Sequence, residues 1–136
     1  MGETITRIGE RFEKGVEESM KPSKKLQESA YHEAGHAVAA YINQIRFKYV
    51  AIEPWEDSLG HIMYGNLQRM PNPKVESMTK VRNFYERRIL VELAGHAAER
   101  IFTGRNNWAG SRDDMRRTVD FAGYICGSHE AVEAYL

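Results

Sequence analysis

Apolar residues recur at three- and four-residue steps in several stretches of the chain, a spacing typical of helices with one buried face. The stretches predicted to be helical are residues 4–20, 23–43, 77–104, 111–125 and 129–136. Ser23 and Ser111 stand where a helix cap is expected, and Gly104 stands where the longest helix should end. Pro22 separates the first stretch from the second. The pattern therefore predicts a mainly helical protein.

The longest predicted helix is expected to bury one apolar stripe along its whole length. The residues of this stripe are Val81, Phe84, Tyr85, Ile89, Leu93, Ala97 and Ile101. They follow one another at three- and four-residue steps, the spacing of residues on adjacent turns of a helix. We expect this stripe to face the core of the domain.

Two short runs between the helices are rich in residues that favour strands. They are Tyr49–Ile52 and Gly60–Tyr64, and the segment between them contains Pro54 and Asp57. This combination predicts a small sheet of two or three strands joined by turns. The fold class is thus predicted as α+β, mainly α-helical, with a small two- or three-stranded sheet beside the helices.

The length of 136 residues favours one domain. We divide the chain into an amphipathic helical arm, residues 1–22, and a domain, residues 23–136. The apolar face of the helix at residues 4–20 can pack on its own domain. It can also serve as a docking surface for a partner or for a second copy of the chain.

Composition and charge narrow the class of protein. Lys plus Arg and Asp plus Glu number 19 each, so no excess of positive charge indicates nucleic acid as a partner. The apolar runs are too short and interrupted for a membrane span. Cys126 is the single cysteine, and the start of the chain is too charged for a secretory leader. These features favour a cytoplasmic protein without disulfides.

The sequence YHEAGHAVAAYI, residues 31–42, carries the most specific chemistry in the chain. His32 and His36 are one helical turn apart, so both imidazoles can reach one metal ion. Glu33 lies about 100° around the helix from His32, where it can reach a water molecule beside the metal rather than the metal itself. This HExxH arrangement is typical of zinc metallopeptidases. A small-residue core helix that happens to carry two histidines is the alternative.

A zinc peptidase needs a third ligand, and the residues themselves leave three regions open. His96 lies in a small-residue stretch that can pack against the HExxH helix, where a histidine is also an ordinary core residue. Asp113 and Asp114 lie in the first turn of a helix, where acidic residues are also favoured by the helix dipole. His61 lies at the start of the second strand and is interpreted as near a substrate groove. Each of these residues can also be explained without a metal.

Four segments together resemble one known family. They are AYHEAGHAVAAY, DSLGHI, ELAGHAAERIFTG and AGSRDDMRRTVDFA, and they occur in this order between about Leu26 and Ile125. In order and spacing they resemble the peptidase domain of FtsH-type zinc metallopeptidases. Four ordered segments are more specific than HExxH alone. The resemblance implies a zinc-dependent metalloendopeptidase with one Zn²⁺ per chain.

The resemblance also implies roles for individual residues. His32 and His36 correspond to the family's histidine ligands, and Glu33 to its general base. Asp114 corresponds to the third zinc ligand, with Asp113 as the second choice. Glu99 corresponds to a glutamate beside the metal site and is expected to accept a hydrogen bond from a ligating imidazole.

The strand that follows the family's LGY-type turn corresponds to Gly60–Tyr64 here, and the resemblance implies that a substrate peptide can lie along it. Its residues Gly60, His61, Ile62 and Met63 are therefore candidates for the substrate groove, where a peptide would add as a further strand. The expected partner is an unstructured polypeptide substrate.

The sequence departs from the family in its organisation. Family members usually carry a membrane anchor and an AAA+ ATPase module, whereas no GxxxxGK[ST] stretch occurs here. We therefore expect any ATPase to act in trans. The alternative function is a catalytically silent binding or adaptor module that keeps the zinc site, with the arm over the groove. A closed structural zinc site would instead need a fourth ligand such as His61 or His96.

Overall fold

A computed structural model describes residues 21–53, 59–65 and 69–136. The helices are α1 (Lys24–Ile42), α2 (Met78–Thr103), α3 (Arg112–Gly123) and α4 (His129–Tyr135), and the strands are β1 (Tyr49–Ala51) and β2 (His61–Met63). The predicted α+β, mainly helical class is confirmed. The predicted helix at residues 4–20 lies outside the described residues, so the division of the chain at residue 22 stays a prediction.

Helix α1 begins where the sequence predicts, because Ser23 caps it. The Ser23 side chain accepts a hydrogen bond from the backbone N–H of Leu26. The buried residues of α1 are His32, Glu33, His36 and Ala40. Most of the buried face is therefore polar. The stability of this helix in the fold depends more on hydrogen-bond partners for these side chains than on apolar burial.

Helices α1 and α2 approach each other closely at small residues. A Cβ atom on Gly35 would lie 2.5 Å from the carbonyl oxygen of Ala94 and 2.7 Å from Cβ of Ala98. Only glycine fits at that position, as the small-residue stretches of both helices predict. This contact brings the polar face of α1 against α2.

The buried face of α2 differs from the predicted apolar stripe in its second half. Val81, Phe84, Tyr85 and Ile89 are buried as expected, but Ile101 is 85% exposed. The buried positions beyond Ile89 are Val91, Glu92, Gly95, His96 and Glu99. Ala97 is exposed as well. The prediction was wrong for these two residues because each four-residue step turns by about 40° around the helix. Ala97 and Ile101 therefore lie opposite the buried side, which at this end of α2 faces the polar side of α1.

The apolar core lies at the other end of α2. Tyr85 stacks on Tyr124 with ring centroids 4.6 Å apart and contacts Phe84 and Phe121. Val132 of α4 is buried in the same cluster. The core thus packs α3 on α2 and α4 on α3, and it sets the position of the first turn of α3.

The start of α3 differs in detail from the prediction. Ser111 precedes the helix, but its side chain makes no capping hydrogen bond. Its φ of −109° and ψ of 17° differ from the extended backbone usual at a cap. The Ser111 Oγ atom instead lies 3.3 Å from Nδ1 of His96.

The sheet has two antiparallel strands among the described residues. Tyr49 pairs with Met63, Val50 with Ile62, and Ala51 with His61. Both strands contact α1, which places the start of β2 beside the HExxH helix. None of the described helices is long and apolar enough to cross a membrane.

Candidate metal centre

Three buried side chains from two helices meet at one point. His32 and His36 of α1 and Asp114 of α3 each offer one ligand atom, and these atoms lie within 4.8 Å of one another. The two Nε2 atoms are 3.0 Å apart, and Oδ2 of Asp114 lies 2.9 Å from Nε2 of His32 and 3.2 Å from Nε2 of His36. The sequence places the histidines one turn apart, and the fold adds the carboxylate.

The other nitrogen of each imidazole has its own partner. Nδ1 of His36 lies 2.7 Å from the carbonyl oxygen of Val91, which can only accept, so this nitrogen donates. Nδ1 of His32 lies 3.1 Å from Oε2 of Glu99, whose Oε1 accepts from Asn107 at 2.9 Å. In a neutral imidazole, a donating Nδ1 leaves a lone pair on Nε2. In the neutral tautomer each Nε2 atom therefore turns a lone pair toward Asp114, and only a protonated imidazole can donate to it.

Such a donor set fits a metal ion. Two imidazole lone pairs and one carboxylate oxygen converge at distances at which three acceptors repel one another. A proton on one Nε2 can bridge only two of them, whereas a cation can bind all three. The partners Glu99 and Val91 hold the rings in the tautomer that a metal requires.

Electrostatics in the cluster favour an ionised carboxylate beside the histidines. Burial alone would raise the pKa of Asp114, but the hydrogen bonds and positive charge of His32 and His36 in their protonated form outweigh it and hold this pKa well below its usual range. For His36, burial lowers the pKa, and the hydrogen bond and charge of Asp114 raise it by more. Asp114 thus supplies the negative charge of the site.

Glu33 lies beside the cluster without belonging to it. It is 7% exposed, and burial raises its pKa, while the nearby histidines act in the opposite direction. Gly60, just before β2, packs against it, since a Cβ atom on Gly60 would lie 2.7 Å from Cγ of Glu33. The start of β2 therefore limits where the Glu33 side chain can lie.

The remaining predicted site residues lie outside the group that can hold a metal. His61, Ile62 and Met63 form β2 and are partly buried. The ring of His61 packs edge-on against Tyr49, with centroids 5.7 Å apart. Asp113, the second choice for a ligand, is exposed and pairs with Arg116. Among the described residues, the group that can hold a metal includes neither Asp113 nor His61.

His96 packs beside the first turn of α3 and is likewise outside the described metal-binding group. Its ring stacks on Trp108 at 3.9 Å, and its Nδ1 atom lies 3.3 Å from Oγ of Ser111. The small-residue face of α2 thus carries a histidine that supports the loop before α3. The alternative of a closed site with a fourth histidine ligand finds no support in the described residues.

The sequence of the chain matches the profile of Peptidase family M41 over residues 19–126. The chain belongs to this family. The match covers the four segments that resemble FtsH-type peptidases, so that resemblance is confirmed. No curated protein shows significant similarity to the chain. Membership in family M41 indicates a metallopeptidase domain, and the His-His-Asp group is the place where it can hold its metal.

Several residues around the centre were not found by sequence reasoning. Gly95 lies directly against both histidines, since a Cβ atom there would lie 2.3 Å from Nε2 of His36 and 2.7 Å from Nε2 of His32. Val91 accepts from the candidate ligand His36, and Asn107 donates to Glu99, the partner of His32. The one available signal for Gly95 was its place beside His96 in the small-residue stretch of α2.

Replacing Gly95 with alanine is expected to weaken metal binding by roughly 10-fold to 100-fold, the range typical of disturbing the support of a ligand. The new methyl group would overlap the ligand atoms and push the histidines apart. Alanine is a better helix former than glycine by about 1 kcal/mol, so loss of α2 is not the expected cause. Competition with a fluorescent chelator measures the affinity.

Gly123 provides the matched control, because it is also helical and an added Cβ atom would meet nothing within 4 Å. Gly123→Ala should bind metal like the unaltered protein. Unchanged affinity in Gly95→Ala would mean that α1 and α2 can move apart here without disturbing the ligands.

Proposed function

We propose that this M41 domain is a zinc-dependent metalloendopeptidase that hydrolyses peptide bonds in unstructured protein segments. The observation that carries the proposal is the convergence of His32, His36 and Asp114 at 2.9–3.2 Å, with Glu33 buried next to them. Two histidines, one carboxylate and a neighbouring glutamate are the donor set and the base that a catalytic zinc site uses.

The spacing of the donor atoms supports zinc. Bonds of about 2.0–2.1 Å in a tetrahedral zinc site give ligand–ligand distances of roughly 3.3 Å. The three observed distances of 2.9, 3.2 and 3.0 Å are close to that value. Three protein ligands leave a fourth position open, as in catalytic sites, whereas structural sites are closed by a fourth side chain.

The chain's own residues supply the proton transfers in this proposal. A bound zinc ion would contribute Lewis acidity toward the scissile carbonyl group and the attacking water. Glu33 is the base that takes the proton of the water and passes it to the leaving amine. Burial raises the pKa of Glu33 and so helps it to hold that proton between the two transfers. Gly60 packs against the Glu33 side chain and limits where it can lie.

We further propose that β2 lies along the bound substrate. Its first residue, His61, follows the glycine that contacts Glu33, so backbone groups of this strand lie near the base. A peptide that pairs with a strand must be extended. Segments without stable structure meet this requirement, and a folded substrate would first have to be unfolded.

Metal removal tests the proposed function. Stripping the protein with a chelator is expected to stop the cleavage of unfolded casein, and one zinc ion per chain should restore it. Peptide products and bound zinc are measured on the same samples. Cleavage that continues at full rate in the stripped protein would contradict a zinc peptidase. Full zinc binding without cleavage of any unfolded substrate would favour the adaptor alternative.

A further inference from the structure

Only one oxygen of Asp114 faces the histidines. Oδ2 lies near both Nε2 atoms, whereas Oδ1 accepts a hydrogen bond from Nη2 of Arg117, three residues further along α3. The spacing of three residues places the two side chains on the same face of the helix. One oxygen of the carboxylate therefore faces the histidines, and the other is held by Arg117.

Arg117 is itself held by a buried glutamate of α2. Its Nε atom donates to Oε2 of Glu92 at 2.8 Å, and Oε1 of Glu92 accepts from Nη2 of Arg88 at 2.8 Å. Glu92 is 1% exposed. Charges thus alternate along a chain from Arg88 through Glu92 and Arg117 to Asp114. The Arg88 guanidinium lies 4.1 Å from the ring centre of Tyr64, which anchors the far end.

Arg117 uses two different nitrogens for its two partners. Nε binds Glu92 on α2, and Nη2 binds Asp114 on its own helix. The planar guanidinium fixes the angle between these two bonds, so the orientation of Asp114 depends on the position of Glu92. The Arg117 side chain is 42% exposed, and an ion pair with a partly exposed member adds little to stability because water screens it. The two bonds of Arg117 therefore indicate a role other than stability.

We propose that Arg117, oriented by Glu92, is a positioning residue that restricts Asp114 to binding the metal through Oδ2 alone. The inference rests on the proposed ligand set. With Oδ1 occupied by Arg117, the carboxylate cannot turn to offer both oxygens. The site then keeps three protein donor atoms and leaves room for water and substrate. Without Arg117, Asp114 is free to rotate and to occupy that room with its second oxygen.

Metal affinity and the cobalt spectrum test this role in the full chain. Arg117→Met keeps the length of the aliphatic stem and removes both hydrogen bonds. We expect its zinc affinity, measured against a chelator, to fall by roughly 10-fold to 100-fold, as for other partners of metal ligands. The Co²⁺-loaded variant should show weaker visible absorption bands, because a second carboxylate oxygen raises the coordination number above four.

Arg116→Met is the matched control, because Arg116 is the neighbouring residue and pairs with the exposed Asp113. It should change neither the affinity nor the spectrum. Arg117→Lys keeps the charge but cannot make both bonds with a fixed angle, so we expect it to restore the affinity only in part. Glu92→Gln, which keeps the side-chain volume, should shift both readouts in the same direction as Arg117→Met and by less. Glu92→Gln also tests the positioning role if Arg117→Met does not fold.

The outcomes separate this inference from the proposed function. Wild-type affinity and spectrum in Arg117→Met and Glu92→Gln would overturn the positioning role, even if both variants unfold more easily. Full restoration by Arg117→Lys would also overturn it, since charge alone would then be enough. If the unaltered protein binds neither zinc nor cobalt, the ligand set fails and the inference fails with it. Normal binding and cleavage in the unaltered protein keep the proposed function whatever the Arg117 variants show.

Discussion

Replacing Glu33 with glutamine is expected to lower kcat/KM for peptide cleavage by about 10²- to 10⁴-fold, the usual contribution of a general base. Glutamine has nearly the same shape but cannot accept the proton of the attacking water. Glu33 is not among the residues that can hold the metal, so zinc content should stay unchanged. Cleavage of a fluorogenic peptide and the zinc content of the same sample measure the two effects separately.

Glu28→Gln is the control for this substitution, because Glu28 lies on the same helix and pairs with Arg105 rather than with the metal centre. It should cleave peptides at the unaltered rate. Normal cleavage by Glu33→Gln would exclude Glu33 as the base. Loss of zinc together with activity would instead indicate that Glu33 supports the ligands.

Replacing Asp114 with alanine is expected to weaken zinc binding by more than about 100-fold, beyond the range for residues that only support ligands. The substitution removes one of three donor atoms and the negative charge of the site. Two imidazoles one turn apart would remain, which is too few for a catalytic zinc site. Zinc content after dialysis and affinity by chelator competition provide the measurements. Peptide cleavage should be lost along with the metal.

Asp113→Ala is the matched control, since the two aspartates are neighbours in the first turn of α3. The side chain of Asp113 is 76% exposed, whereas Asp114 is buried against His32 and His36. Asp113→Ala should therefore keep its zinc. Full zinc retention in Asp114→Ala, or loss in Asp113→Ala, would contradict the proposed third ligand.

The local sequence was sufficient to predict the elements and one part of the site. Ser23, Ser77 and Gly104 lie at helix ends where their side chains or backbone preferences act within a few residues. His32, Glu33 and His36 are close in space because they are close along one helix. Such short-range geometry needs no knowledge of the fold. The choice of Asp114 came from the resemblance to a family, since spacing alone left Asp113 and two histidines open.

The tertiary structure decided which residues surround these side chains. The apolar stripe predicted that Ile101 is buried, yet the second half of α2 buries Glu92, His96 and Glu99 instead. Four-residue steps turn by about 40° each, so Ile101 lies opposite this buried face, which packs on the polar side of α1. The partners of a buried polar group belong to other elements, so the sequence of one helix does not contain them.

By itself, the sequence determined the helices, the small sheet, the pair of histidines with their glutamate, and the family. Only the tertiary structure showed that Asp113 is exposed and Asp114 is buried, and only it joined Asp114 to Glu92 through Arg117. It also placed Gly95 against both histidines, where no side chain fits. The physical reason is that these contacts join residues far apart in the chain. Their distances follow from the way α1 and α3 pack on α2, and not from any spacing along one helix.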